Sequence, residues 1–221
     1  MKSKIGLSQE WLKAIACITM LIDHIGAMLF PQTVIFRMIG RISFPIYCFL
    51  LVEGFYRTRD KKKYITRMAI CAIVTEPIYD FAFTGALTLH SQSVMITLML
   101  GFAALYTLER CKCKIDAVIA IVAYAILNEI LGASYGIYGI GMILMFAYTR
   151  ERDDKLVANV FLTIILNVFQ TDIQIFALLA LPIINLYNGK KLTNNKAAQI
   201  GFYAFYPMHL LILYIIQQVA F

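Results

Sequence analysis

About nine apolar stretches follow one another along 221 residues, and the loops joining them alternate in charge. The stretches run roughly over 11–30, 33–56, 64–83, 93–108, 115–131, 134–149, 156–169, 173–187 and 199–219, the seventh and eighth being the shortest. A helix needs about 20 apolar residues to cross a bilayer. Lipid offers the backbone no hydrogen bonds, so such stretches fold as helices. This pattern predicts an all-α fold: a polytopic membrane helical bundle of about nine transmembrane helices, forming one integral-membrane domain over 1–221.

Connections rich in Lys and Arg (57–63, 109–114, 150–155 and 188–191) follow the second, fourth, sixth and eighth stretches. The intervening loops 31–32, 84–92, 132–133 and 170–172 contain neither residue. Cytoplasmic loops retain basic residues. The N-terminus is therefore expected in the cytoplasm and the C-terminus outside, in a multi-pass protein of the cell (inner or plasma) membrane. Met1-Lys-Ser-Lys4 leads straight into a full-length span, and no cleavable signal is expected.

Composition agrees with this reading. Hydrophobic residues make up 61% and charged ones 15%, against about 25% charged in soluble domains. The net charge of +7 is explained by basic cytoplasmic loops, so the bilayer rather than nucleic acid is the expected partner. Of the five cysteines, three lie in apolar runs, and Cys111-Lys-Cys113 is a weak metal signal.

Every Lys and Arg except Arg37 and Arg41 falls at or near the cytoplasmic face in this topology. Those two lie four and eight residues after the outer start of the second stretch, at spacing i, i+4, which places them on one helix face. The first stretch carries Asp23 and His24 more than halfway along. At 1.5 Å per residue both pairs lie roughly 6 to 12 Å inside the outer interface. The short turn between the stretches makes the two helices antiparallel neighbours, so Asp23 can meet an arginine with His24 beside them. Glu76 and Asp80 flank Pro77 at a similar depth, Glu129 lies near the outer end of the fifth stretch, and His209 follows Pro207 in the ninth. His90 is expected to be solvated in an outer loop. A bland alternative is that these charges only pair helices together, with Arg37 snorkelling to the interface and His24 bonded to a backbone carbonyl.

No nucleophile elbow, H-E-x-x-H or P-loop occurs, and no metal is expected. A histidine that exchanges a proton near neutral pH can deprotonate a hydroxyl or amine. Arginines can stabilise an oxyanion. Together these suit acyl transfer. They also suit a small proton-coupled transporter or exporter using an Asp-His-Arg relay.

Several motifs occur in a specific order: Leu12-Lys-Ala-Ile-Ala16, Asp23-His-Ile-Gly26, Arg37-Met-Ile-Gly-Arg41, Phe44-Pro-Ile46 and Glu53-Gly-Phe-Tyr-Arg57 come first. Glu76-Pro-Ile-Tyr-Asp80, Tyr135-Gly-Ile-Tyr-Gly-Ile140 and Phe205-Tyr-Pro-Met-His-Leu210 follow. Across nearly its whole length the chain resembles the TraX family, the F-pilin acetylation proteins, and through them a wider set of transmembrane acyltransferases. The resemblance implies an acetyltransferase that takes acetyl-CoA from the cytoplasm and acetylates an exported acceptor, a pilin-like protein or an envelope glycan. It implies that His24 is catalytic, with Asp23 beside it and Arg41 as the oxyanion or thioester contact. Arg37 is expected to assist, and Glu76, Asp80, Glu129 and His209 to line the site. Arg57, Arg59, Lys61, Lys62, Lys63 and Arg67 would hold the phosphates of acetyl-CoA, although positive-inside topology alone also accounts for that run.

Overall fold

The computed structural model describes residues 6–88, 91–151, 155–167, 172–192 and 196–220, so His90 lies outside the described residues. The described elements are helical. In chain order they are α1 (Gln9–Met28), α2 (Val34–Gly40), α3 (Ser43–Arg57), α4 (Lys61–Thr84), α5 (Val94–Leu108), α6 (Lys114–Ile130), α7 (Gly136–Thr149), α8 (Lys155–Asn167), a 3-10 segment (Asp172–Leu179), α9 (Ala180–Asn185) and α10 (Lys196–Ala220). Among the described residues, three helical stretches are long and apolar enough to cross a membrane: Gln9–Met28, Val34–Arg57 (α2 and α3 together) and Ile200–Ala220. Val94–Leu108, Gly136–Thr149, Leu156–Asn167 and Ile173–Asn185 are apolar but shorter.

Two departures from the hydropathy pattern have local causes. The second apolar stretch is interrupted at Arg41–Ile42, where the helix turns before resuming at Ser43. Ser43 Oγ donates to the Gly40 carbonyl at 2.8 Å, satisfying a backbone acceptor that the break exposes. The basic run, read as a loop, is helical from Lys61 onward because the Asp60 side chain accepts from Lys63 N–H at 2.9 Å as an N-cap.

The chain divides into two compact units, one formed by Met1–Leu50 with Thr149–Phe221 and the other by Leu51–Tyr148. In the first, α1 packs against α2 and α10. A β-carbon on Gly26 would strike Phe36, and one on Gly40 would strike the Asp23 carboxylate. Only glycine lets α1 and α2 approach that closely, and the paired numbers (23 with 40, 26 with 36) make these helices antiparallel. Along α10 the pairing rises instead. Lys13 lies over the Phe202 ring at 5.0 Å, and Gln217 Nε2 donates to the Met28 carbonyl at 3.2 Å. The two helices are thus parallel, the relative direction that loop alternation assigns to the first and last stretches. At the other end Leu7 pairs with Leu186 and Asn188 through backbone bonds of 2.8 and 3.0 Å, tying the entry of α1 to the Asn188–Lys191 loop.

In the second unit α5 packs against α4 and α6. Its core includes Phe55 and Phe102, stacked edge to face at 5.1 Å, with Tyr64 against Phe102 at 4.7 Å.

Candidate active site

Five of the ionisable residues that an apolar stretch makes costly, Asp23, His24, Arg37, Arg41 and His209, lie together in the first unit. Adjacent residues on an α-helix point about 100° apart. Asp23 therefore faces α2 while His24 faces α10. Asp23 accepts from Arg37 Nη1 at 2.8 Å on Oδ2 and from Arg41 Nη2 at 2.9 Å on Oδ1. Arg41 also donates through Nε to the Arg37 carbonyl at 3.2 Å. The Asp23 and Arg41 side chains are each 11% exposed, against 33% for Arg37. One carboxylate thus serves two guanidiniums, leaving this trio one positive charge in excess. Charge-assisted bonds of this length are about twice as strong as neutral ones. They are what allows a carboxylate to be buried in an apolar helix.

On the other face of α1, His24 Nδ1 lies 2.6 Å from His209 Nε2. The ring planes are 3° apart with centroids at 4.9 Å, so the imidazoles meet edge to edge in one plane. His209 Nδ1 sits 2.7 Å from the Phe205 carbonyl, which can only accept. With both rings neutral, each proton has one place. His209 donates from Nδ1 and accepts at Nε2, and His24 donates from Nδ1. The lone pair of His24 consequently resides on Nε2. Tyr206 packs edge-on against both rings at 6.1 and 5.6 Å, and both histidines are buried.

Gln174, in the 3-10 segment, was not singled out by its sequence. Its Oε1 accepts from Arg41 Nη1 at 3.3 Å, and the residue is 3% exposed. Its Nε2 meets no acceptor among the described residues, which costs about 1–3 kcal/mol for a buried donor. The only signal was an amide flanked by isoleucines in an apolar stretch.

The remaining expected site residues lie in the second unit and make local contacts there. Glu76 accepts from Ser93 N–H at 3.0 Å and from its hydroxyl at 2.5 Å, securing the cap of α5. Asp80 accepts from Thr88 N–H at 3.0 Å, and Glu129 from Ile137 N–H at 2.6 Å. In the basic run Arg57 pairs with Glu53 at 2.8 Å, and Lys61 pairs with Glu109 at 2.5 Å while lying over Phe55. Arg67 sits over Tyr64, and Arg59, Lys62 and Lys63 are exposed. Among the described residues, no group of three or more His, Cys, Asp or Glu converges as metal ligands would.

The chain is 29% identical to a probable fimbrial assembly protein FimC of serogroup H1 from Dichelobacter nodosus, over 96% of this chain and 97% of the relative. It is 38% identical to the uncharacterized protein RP591 of Rickettsia prowazekii (strain Madrid E), over 44% of this chain and 36% of the relative. No solved structure matches. The family described as TraX protein matches residues 8–217, on both sides of the histidine pair and the arginine cluster, and the chain belongs to the TraX family.

Proposed function

We propose that this chain is an integral-membrane acetyltransferase, moving an acetyl group from cytoplasmic acetyl-CoA to an amine or hydroxyl of an exported acceptor. The observation that carries the reading is the His24–His209 bond at 2.6 Å, anchored on the Phe205 carbonyl. It holds one tautomer and leaves the lone pair of the buried His24 on Nε2, where it can act as a base. Membership of the family supports the chemistry. The printed name of the Dichelobacter relative, a fimbrial assembly protein, supports a pilin subunit as acceptor.

In this reading His24 Nε2 takes the proton of the acceptor amine as the nitrogen lone pair attacks the thioester carbonyl carbon. The carbonyl π pair moves to oxygen, giving a tetrahedral oxyanion. That oxyanion collapses with cleavage of the carbon–sulfur bond. The CoA thiolate leaves and recovers the proton from His24, so the products are acetylated acceptor and free CoA. His209 stabilises the transient imidazolium by accepting from His24 Nδ1–H. Asp23 holds Arg37 and Arg41 beside the base, and their excess positive charge favours the oxyanion. Arg59, Lys62 and Lys63, which are exposed, with Arg67, are the proposed contacts for the phosphates of CoA. The three long apolar helices anchor the chain, and the shorter ones complete a multi-pass arrangement with the N-terminus in the cytoplasm.

The test is transfer of isotopically labelled acetyl from acetyl-CoA, supplied at the cytoplasmic face of membrane vesicles. Label is expected on the N-terminal amine of a co-expressed pilin subunit, with release of one CoA per acetyl. Vesicles that release no CoA but move a solute down a pH gradient would replace this reading with transport.

A further inference from the structure

Arg41 is the obvious candidate to meet a developing oxyanion, yet its guanidinium is turned elsewhere. Nη2 is on Asp23, Nε on the Arg37 carbonyl and Nη1 on Gln174. The bond to Gln174 is the informative one. It settles which end of the amide is oxygen and leaves the –NH2 end buried, with no acceptor among the described residues. A buried donor retained in an apolar stretch asks for a reason, and an acceptor carried in by a ligand supplies one. The donor also adjoins the same guanidinium that holds Asp23, one residue from the base.

We propose that Gln174 is a catalytic residue whose Nε2–H donates to the carbonyl oxygen of the bound acyl thioester and more strongly to the oxyanion formed from it. This rests on the acyl-transfer reading above. Arg41 then acts through Gln174. By donating to Oε1 it draws electron density from the amide and strengthens the N–H as a donor. In the step, the acceptor nitrogen bonds to the acyl carbon, the carbonyl pair moves onto oxygen under Gln174, and the proton goes to His24. Collapse returns the pair to the carbonyl and expels the thiolate. Atoms and charge balance without a further reactant.

The experiment uses the full chain in detergent with acetyl-CoA labelled with 13C at the carbonyl and a peptide bearing a free α-amine. Gln174→Met removes the donor at nearly constant volume. Gln174→Glu keeps an acceptor for Arg41, and with it the local fold, but removes the –NH2. Loss of one oxyanion donor lowers kcat by about 10²–10³. Both variants are expected to show that loss, with KM for acetyl-CoA within about twofold of wild type. The 13C carbonyl band of bound donor should lie at lower frequency in wild type than in Gln174→Met, a shift that a purely structural role would not produce. Either variant turning over at the wild-type rate, with wild type active and His24→Ala inactive, overturns the role of Gln174 and leaves acyl transfer standing. Absence of CoA release by wild type overturns both.

Discussion

Replacing Asp23 with Asn keeps the shape of the side chain and removes its charge. In the structure this carboxylate accepts from two guanidiniums at 2.8 and 2.9 Å with 11% exposure. Asn can accept one such bond through its oxygen, but the second arginine then faces an –NH2. The trio passes from one excess positive charge to two. Removing one partner of a buried ion pair costs about 3–5 kcal/mol, and one kcal/mol moves the midpoint of a chain this size by about 2–4 °C. Asp23→Asn should therefore lower Tm by about 10 °C in thermal unfolding of the detergent-solubilised protein. The pair can be isolated with Arg41→Met and the double variant. Once Asp23 is neutral, Arg41 is a liability, so the double variant should be more stable than additivity predicts by about 1–3 kcal/mol. A Tm for Asp23→Asn within about 2 °C of wild type, or a strictly additive cycle, would refute the buried trio.

Three further outcomes follow from the geometry. His209→Phe removes the acceptor that fixes the His24 tautomer; a hydrogen bond of about 1.4 kcal/mol is tenfold in population, so kcat for CoA release should fall about tenfold at unchanged KM. Gly40→Ala drives a methyl into the Asp23 carboxylate and should cost about 1–3 kcal/mol in the same melting assay, with transfer lost alongside. Glu76→Gln weakens the bonds to Ser93 that cap α5 and should cost about 1–2 kcal/mol while leaving turnover per folded molecule unchanged.

Much of the site is legible in the chain because charge in an apolar stretch is costly and therefore conspicuous. Asp23, Arg37 and Arg41 stand out on that ground, and a short turn between two stretches is enough to make them neighbours. The direct bond between His24 and His209 is different. It joins residues 185 apart, and hydropathy gives depth but not which helices touch. The break at Arg41 is hidden because Met38, Ile39, Ile42 and Phe44 carry one apolar stretch across it, and a serine hydroxyl meets the Gly40 carbonyl there. The helical start at Lys61 was masked by its charge, since three lysines resemble a loop until Asp60 is recognised as a cap. Gln174 is inconspicuous in the sequence because an uncharged amide barely disturbs the hydropathy of its neighbours. Its significance comes from the guanidinium it meets and the donor it keeps.

If His24 Nε2 is the base of an acyl transfer, its removal must abolish both products of the reaction. Wild type and His24→Ala, purified to the same monodispersity and melting temperature, are given labelled acetyl-CoA and a peptide with a free α-amine, and acetyl-peptide and free CoA are counted. Wild type is expected to give equal amounts of the two products, and His24→Ala neither. Undiminished acetyl-peptide from His24→Ala would contradict it.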